Sequence, residues 1–305
     1  MKKHTVEEIG AKMDALGVWE TIASYNWAIK PKGSVFPYFC QLLKAGDDTP
    51  IKNRFLMLEG WQTLHDYVCM RVDESYGFYT SPMEMPHYEL VTLKTGECKV
   101  FRHDAGYMPH EATETQKEFV ARILWEAYGV MMRIESDRNL PLKFTGEQAI
   151  FARVERSDGT WCDEPLVIPP PRTYVEKVAF AKDDITKAKD LPIMSGERME
   201  LDFRICMGIM TKEPRPRTIY ELLAVNSATG EKIIDSRTSM HPELGLKGMW
   251  ESVAPQILKA LIGYGRIPGE IAVKSQRLFR MLRPLCIELP FKLSIHDSLP
   301  ALAAK

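Results

Sequence analysis

Three consecutive prolines, Pro169-Pro170-Pro171, interrupt the chain near its middle and constrain its fold more than any other feature. Proline has no amide hydrogen and its φ angle is fixed, so the run is extended and cannot continue a sheet. A charged stretch, AKDDITKAKDLP, follows the prolines. With 305 residues, the chain has room for two domains of ~100–200 residues each. We therefore predict an N-terminal α+β domain over 1–168, a linker over 169–196 and a C-terminal α/β domain over 197–305.

Composition and charge exclude several classes of protein. Apolar residues make up 45% of the chain and charged residues 27%, which suits packed globular cores. The formal net charge of -1 offers no overall attraction to nucleic acid or to an anionic membrane. The charged N-terminus does not resemble a signal peptide, and no apolar run approaches the ~18 residues of a membrane helix. The 6 cysteines form no CxxC pair. We expect reduced thiols, a cytoplasmic location and no membrane partner.

The N-terminal half alternates helical and strand patterns. A capping-box pattern at Thr5 begins a predicted helix over 5–25, and another at Thr113 begins the clearest helix of this half, over 113–133. A further helix is predicted to begin at Gly60. Short apolar runs and hairpin turns predict strands over 35–43, 54–58, 88–93, 97–101, 149–155 and 161–168. Together these elements predict a mixed β-sheet with packed helices.

The C-terminal third has a more regular pattern. Short turns join its first three predicted strands, and a helix precedes each later strand. The predicted order is therefore β-β-β-α-β-α-β, with one mixed sheet and helices packed on it. The strands are predicted over 199–209, 219–226, 231–236, 271–273 and 291–295, the helices over 246–264 and 276–286, and a short tail helix over 299–305.

Three segments of this third carry a family resemblance. YELLAVNSATGEKI, GRIPGEIAVKSQRLFRMLRPL and SIHDSLPAL together resemble a bacterial domain of unknown function. The shared motifs are turns, helix ends and apolar positions. The resemblance therefore implies a domain and no particular activity.

The same element order resembles the ribonuclease H-like fold of nucleases and transposases. That resemblance implies two metal ions held by acidic side chains on the first strand, the fourth strand and a helix. Asp202 stands at the first-strand position, whereas the end of the fourth strand offers Lys274, Ser275 and Gln276 and no acid. We therefore expect a catalytically empty version of the fold, in which Asp202 pairs with a basic neighbour such as Arg204.

The histidines suggest a second place for chemistry. Four of them, at positions 65, 87, 103 and 110, fall in one short part of the chain, and His103 is followed by Asp104. A metallophosphohydrolase would need such residues to converge from helices, and this helical setting is missing, so we predict no metal site and no cofactor. If the first domain binds a small molecule, the polar loop around His103 is the place to expect it. The candidate ligand-binding residues are Arg102, His103, Asp104 and Arg133.

Basic residues suggest a third place. Arg277, Arg280 and Arg283 recur every three residues on a predicted helix, next to Lys274. One basic helix face could contact a nucleic acid, although a solvated amphipathic helix would have the same pattern.

These observations favour a non-catalytic binding or interaction protein with a degenerate ribonuclease H-like domain. The first alternative is a metal-dependent nuclease or phosphohydrolase that uses Asp202, His103 or Asp104. The second is an accessory nucleic-acid-binding protein that uses the basic helix face. The partner stays open between another protein and a nucleic acid. The test between the first two hypotheses is whether acidic and histidine side chains converge around one pocket.

Overall fold

The computed structural model describes residues 4–16, 22–23, 25–70, 79, 81–172 and 174–304. The described residues form two compact units. The first unit runs to residue 172, apart from short segments, among them Gly106–Met108, that belong to the second unit. The second unit holds the residues that follow.

The first unit is built on an eight-stranded sheet with the order β6-β5-β4-β3-β2-β1-β7-β8. Neighbouring strands are antiparallel, except that β1 and β7 run parallel. The strands are β1 (Trp27–Lys30), β2 (Tyr38–Lys44), β3 (Ile51–Glu59), β4 (His87–Leu93), β5 (Cys98–His103), β6 (His110–Glu111), β7 (Ala149–Glu155) and β8 (Trp161–Val167).

Helices α1 (Val6–Asp14) and α3 (Glu114–Ser136) pack on one face of this sheet, and their buried side chains share one apolar core with it. Both helices begin with the predicted capping box, at Thr5 and Thr113. The predicted first helix was too long, because it ends at Asp14; part of its predicted remainder lies outside the described residues.

Helix α2 (Gly60–Met70) lies at the other face of the sheet. Its Trp61 ring contacts the ring of Phe39 with centroids 5.9 Å apart. Phe39 points away from the α1 and α3 face because its neighbours in β2, Tyr38 and Cys40, belong to the core on that face. Short 3₁₀ helices at Pro82–Glu84 and Pro141–Lys143 complete this unit.

The second unit is built on a five-stranded sheet with the order β11-β10-β9-β12-β13. β9, β10 and β11 form an antiparallel meander, whereas β12 runs parallel to β9 and β13 runs parallel to β12. The order β-β-β-α-β-α-β is therefore confirmed. The elements are α4 (Lys182–Lys189), β9 (Ile193–Met210), β10 (Thr218–Asn226), β11 (Lys232–Ser239), α5 (Gly245–Tyr264), β12 (Ile267–Val273), α6 (Gln276–Glu288), β13 (Lys292–Ile295) and α7 (Pro300–Ala303).

Residues 169–196, predicted as a linker, contain regular structure. Helix α4 and the start of β9 fall in this range, and both belong to the second unit. The part around the prolines, residues 168–172, has no regular secondary structure. There the side-chain amide of Gln62 binds the backbone of Arg172 twice: Oε1 accepts from the amide nitrogen at 2.7 Å and Nε2 donates to the carbonyl at 3.3 Å.

The two faces of the second sheet are covered differently. Trp250 of α5 packs edge-on against Phe203 of β9, with centroids 4.9 Å apart. On the opposite face, Leu302 of α7 and the preceding Leu299 pack against Leu223, Val225 and Ala272. Among the described residues, no helix is both long enough and apolar enough to cross a membrane.

A buried carboxylate attaches α7 to the sheet. Oε2 of Glu200 accepts the backbone amides of Ala301 and Leu302 at 2.8 Å and 3.1 Å. Glu200 is only 1% exposed, so these amides replace the water that its charge has lost. The closing LPAL segment of the sequence therefore docks through one charge-assisted contact as well as through its leucines.

Replacing Glu200 with glutamine should weaken this attachment. Glutamine keeps the volume but loses the charge, and the expected loss in the free energy of unfolding is about 1–2 kcal/mol. Urea denaturation followed by circular dichroism measures it. The control is Glu288→Gln on α6, whose exposed carboxylate pairs with Lys189 and should change stability by less than ~0.5 kcal/mol. Equal effects of the two substitutions would contradict the attachment.

Candidate functional site

A cluster of polar side chains is buried in the first sheet. His87 on β4 pairs directly with His103 on β5, and Glu89 follows two residues after His87 on β4. Because side chains two residues apart in a strand point to the same face, all three project together. They lie on the face opposite the α1 and α3 core, since Tyr88 between them belongs to that core.

The three side chains contact one another closely. The imidazole rings of His87 and His103 are stacked, with centroids 4.0 Å apart. Nε2 of His103 lies 2.9 Å from Oε2 of Glu89. One potential ligand atom from each residue lies within 4.8 Å of the others. All three side chains are buried, with exposed fractions of 1% for His87, 7% for Glu89 and 6% for His103.

Groups around the cluster fix its charge state. Nδ1 of His87 lies 2.8 Å from the carbonyl oxygen of Met85, to which it can donate. Burial, and then the nearby His103, lower the pKa of His87 to about 3, so the ring is neutral at physiological pH. Burial alone would raise the pKa of Glu89, but the hydrogen bond and charge of His103 outweigh it and the pKa is lowered. The Arg54 guanidinium contributes from 3.3 Å.

The structure separates the residues predicted around His103. Arg102 points to the α1 and α3 face, where its guanidinium lies over the ring of Tyr88 at 4.6 Å. It binds both carboxylate oxygens of Glu59, and its Nε donates to Asp104 at 2.9 Å. Arg102 and Asp104 therefore lie together, whereas His103 belongs to the cluster on the other face.

Arg133, the fourth candidate, lies on α3 in a chain of ion pairs. It binds both oxygens of Asp163, which also accepts from Nη1 of Arg153 at 3.1 Å. Nε of Arg153 in turn donates to Glu126 at 3.0 Å. Glu126 lines a cleft in the first unit, so this chain of ion pairs connects Arg133 to the wall of the cleft.

This cleft has a volume of about 700 Å³. The ring of His4 lies flat on Trp125 at its edge, with centroids 4.0 Å apart. Nζ of Lys12 lies over the same indole at 5.1 Å. The lining combines aromatic rings with charges of both signs: His4, Phe119, Trp125 and Trp161, with Glu118, Arg122, Glu126 and Glu155. A volume of ~300–1,000 Å³ suits an organic small molecule.

The predicted basic helix face is interrupted in the structure. Arg277 does not lie on an exposed face, because its guanidinium is fully buried between the ring of Trp250, at 3.9 Å, and the carboxylate of Glu176, at 2.7 Å. Arg280 is half-buried and binds the other oxygen of Glu176 at 3.2 Å. Only Lys274 and Arg283 of the four predicted residues are exposed.

Asp202 lies on β9 without a second acid at the end of β12. Its Oδ1 accepts the backbone amide of Phe203 at 2.9 Å. Arg204, the expected partner, binds Glu221 instead, at 3.4 Å. At the end of β12, Ser275 begins α6 by accepting the amide of Leu278 at 3.1 Å. The acidic set that a two-metal nuclease needs is therefore incomplete at this end of the described sheet.

The fold defines a protein of two α/β units, each a multi-stranded sheet with packed helices. Residues 184–304, which make up most of the second unit, are similar to a family described as domain of unknown function DUF6930. This match confirms the resemblance to an uncharacterised domain. Comparison with curated proteins and comparison with solved structures gave no match.

Sequence reasoning considered His87 and His103 but missed Glu89. The signal was present in the HYEL segment, where strand alternation places Glu89 on the same face as His87. The cleft was missed as well, since its walls come from α3 and from the β7 and β8 hairpin, which are distant in sequence.

Acidification should lower the free energy of unfolding, because the buried His87 binds a proton less readily in the folded chain than in the unfolded chain. Its pKa is about 3 in the folded chain and 6.5 ordinarily, so the unfolded chain binds one more proton between these values. The stability contributed by neutral His87 is complete above pH 6.5 and is lost as the pH falls toward 3. The slope for one proton is ~1.4 kcal/mol per pH unit.

Urea denaturation between pH 6.5 and pH 5, with EDTA present, measures this slope above the titration range of Glu89. His87→Gln should flatten it. His110→Gln, which changes an exposed imidazole on β6, should leave it as in wild type. An unchanged slope in His87→Gln would show that His87 is not the group responsible.

Removing Arg277 should strongly destabilise the second unit. Arg277→Met leaves the buried carboxylate of Glu176 with Arg280 alone, and breaking a buried ion pair costs about 3–5 kcal/mol. Arg283→Met, on the exposed side of the same helix, should cost less than ~0.5 kcal/mol. The double variant Arg277→Met, Glu176→Gln should regain part of the loss, and additive losses in urea denaturation would contradict the coupling.

Proposed function

We propose that this chain is a non-catalytic binding protein. Its first unit binds a flat aromatic or heteroaromatic small molecule in the cleft beside α3, and its second unit is a ribonuclease H-like domain without catalytic carboxylates. The observation that carries the proposal is the cleft of about 700 Å³ with its aromatic and charged lining. A cytoplasmic location is part of the proposal, since the cysteines are free thiols.

The lining of the cleft favours flat ligands. Trp161, Phe119 and the stacked pair of His4 and Trp125 offer ring surfaces, and aromatic rings prefer offset-stacked or edge contacts. The imidazole of His4 already lies flat on Trp125, with an angle of 14° between the rings. A nitrogen heterocycle of a ligand would stack on an aromatic ring of the cleft in the same way.

The charges of the cleft favour ligands that also carry a polar group. Arg122 lies 3.4 Å from Glu155, and Glu126 binds Arg153. Since Arg122 is about half exposed, its pair with Glu155 is weak and can be exchanged for a ligand anion. The cleft therefore combines fixed aromatic surfaces with one cation that can be recruited.

Acidic groups of the second unit support the absence of catalysis. Of the two carboxylates close together on β9, Glu200 binds the amides of α7 and is not available to a metal ion. Asp202 then has no acidic partner at the end of β12, where Lys274 and Ser275 follow the strand. A single carboxylate does not hold two divalent cations.

Binding can be tested with the fluorescent dye 8-anilinonaphthalene-1-sulfonate, which is flat and anionic, and by its displacement with adenosine. Trp161→Ala should weaken dye binding at least ~5-fold, which corresponds to ~1 kcal/mol for the loss of a ring contact. Arg122→Gln should weaken the binding of the anionic dye. It should affect the binding of adenosine less, because adenosine has no charge. Arg138→Gln, at an exposed arginine beyond the end of α3, is the matched control.

Equal dye binding by wild type, Trp161→Ala and Arg122→Gln would refute the cleft as the binding site. Catalysis is tested separately by hydrolysis of DNA, RNA and bis-p-nitrophenyl phosphate with Mg²⁺ or Mn²⁺. Wild type and Asp202→Asn should be equally inactive. Metal-dependent hydrolysis that disappears in Asp202→Asn would overturn the non-catalytic assignment and favour the nuclease alternative.

A further inference from the structure

The buried cluster in the first sheet has a chemistry that the proposed function does not use. We propose that His87, Glu89 and His103 bind one divalent first-row transition metal ion, such as Zn²⁺, between strands β4 and β5. Each residue would supply one donor atom, a ring nitrogen from each histidine and a carboxylate oxygen from Glu89. This inference is independent of the cleft beside α3.

The donor set matches such an ion. Two imidazoles and one carboxylate form a recurrent protein site for Zn²⁺ and for Fe²⁺, whereas Mg²⁺ and Ca²⁺ prefer oxygen donors. Convergence of histidine and acidic side chains, which the sequence did not predict, is therefore present here, in a closed cluster that contains neither Asp202 nor Asp104.

A backbone hydrogen bond orients the imidazole of His87 as expected for a metal ligand. Its Nδ1 faces the carbonyl oxygen of Met85 at 2.8 Å. If Nδ1 carries the proton, Nε2 is left with its lone pair available. Metal-bound histidines commonly donate their second nitrogen to a backbone carbonyl or a carboxylate in this way. The hydrogen bond would thus fix the tautomer and the ring orientation before an ion arrives.

Two other atoms of the cluster lack hydrogen-bond partners. Nδ1 of His103 and Oε1 of Glu89 are buried and have none among the described residues. Oε1 has only the ion-pair contact of 3.3 Å with Nε of Arg54. Buried polar atoms are rarely left unsatisfied, because nothing replaces the water they lose. A simple histidine–carboxylate pair accounts for the contact between Nε2 of His103 and Glu89 but not for these two atoms.

The spacing requires a small closure on binding. Zn²⁺ with donors at ~2.1 Å in tetrahedral geometry needs donor atoms ~3.4 Å apart. Nε2 of His103 and Oε2 of Glu89 are already 2.9 Å apart, and the widest separation in the set is within 4.8 Å. Rotation of side chains can supply this difference without a change in strand pairing. The ion would then link two adjacent strands through side chains on one face.

Arg54 sets the expected strength of binding. Its guanidinium lies beside Glu89 and opposes a second cation there. Because the Arg54 side chain is 44% exposed, it can turn toward water when an ion enters. Arg54→Gln should therefore bind the metal at least as tightly as wild type, since it removes an opposing charge and no donor.

The experiment uses the full chain without an affinity tag, treated with EDTA, dialysed and titrated with ZnCl₂ by isothermal calorimetry. Elemental analysis after gel filtration gives the stoichiometry, and the melting temperature is followed in parallel. Wild type should retain one Zn²⁺ per chain and melt at a higher temperature with Zn²⁺ than without it. CoCl₂ should produce visible absorption bands of a low-coordinate cobalt site.

Variants assign the site to its residues. His87→Gln and His103→Gln should each weaken Zn²⁺ binding more than ~10-fold. The matched control is His296→Gln, which changes a histidine that also lies beside a carboxylate, Glu270 at 3.6 Å, in the second unit. Its affinity should equal that of wild type.

The absence of stoichiometric Zn²⁺ from wild type would overturn the proposal. So would undiminished binding by both His87→Gln and His103→Gln. If these variants do not fold, X-ray absorption of the wild-type zinc protein decides the matter. Scattering from two imidazoles and an oxygen donor supports the site, and a spectrum without imidazole scattering refutes it.

Discussion

The cost of burying charge is the constraint on which much of this structure depends. Charged side chains that become buried when the helices pack on the sheets lose their water and need partners within the protein. Glu200 meets this need with the backbone amides of α7, and Arg277 meets it with Glu176 and the ring of Trp250. In each case, one polar contact determines where an element of the second unit docks, and the apolar contacts around it supply most of the energy.

Local elements were predictable because their causes are local. The capping boxes at Thr5 and Thr113 and the element order of the second unit follow from residues close together in sequence. The parallel pairing of β1 with β7 was not predictable, because it joins residues more than 100 positions apart and β1 has only 4 residues. Helix α4 was not predicted, because its sequence consists mainly of charged residues. Such a sequence is compatible with a solvated helix and with a linker.

The candidate sites were harder to predict than the secondary structure, because their neighbours are set by the tertiary fold. Three residues in a helix turn through about 300°, so Arg277 and Arg283 lie about 120° apart around the axis, and a stripe that begins outside can end inside. Arg277 is the arginine of this stripe that is buried in the protein. His103 was predicted to act together with the polar loop around it. Its position in β5 instead determines which side chains it contacts. Strand parity separates it from Arg102 and joins it to His87 and Glu89.

The buried cluster and the open cleft of the first unit differ in the ligands that they can admit. The cleft has room for an organic molecule, and its charges are paired, partly exposed and exchangeable. The three side chains around His87 are buried and lie within contact of one another, which suits a single ion, and their unsatisfied atoms favour a cation that accepts lone pairs. A metal ion held there would tie β4 to β5 and satisfy the cluster. Its effect would be on the stability of the sheet, because none of its three ligands lines the cleft beside α3.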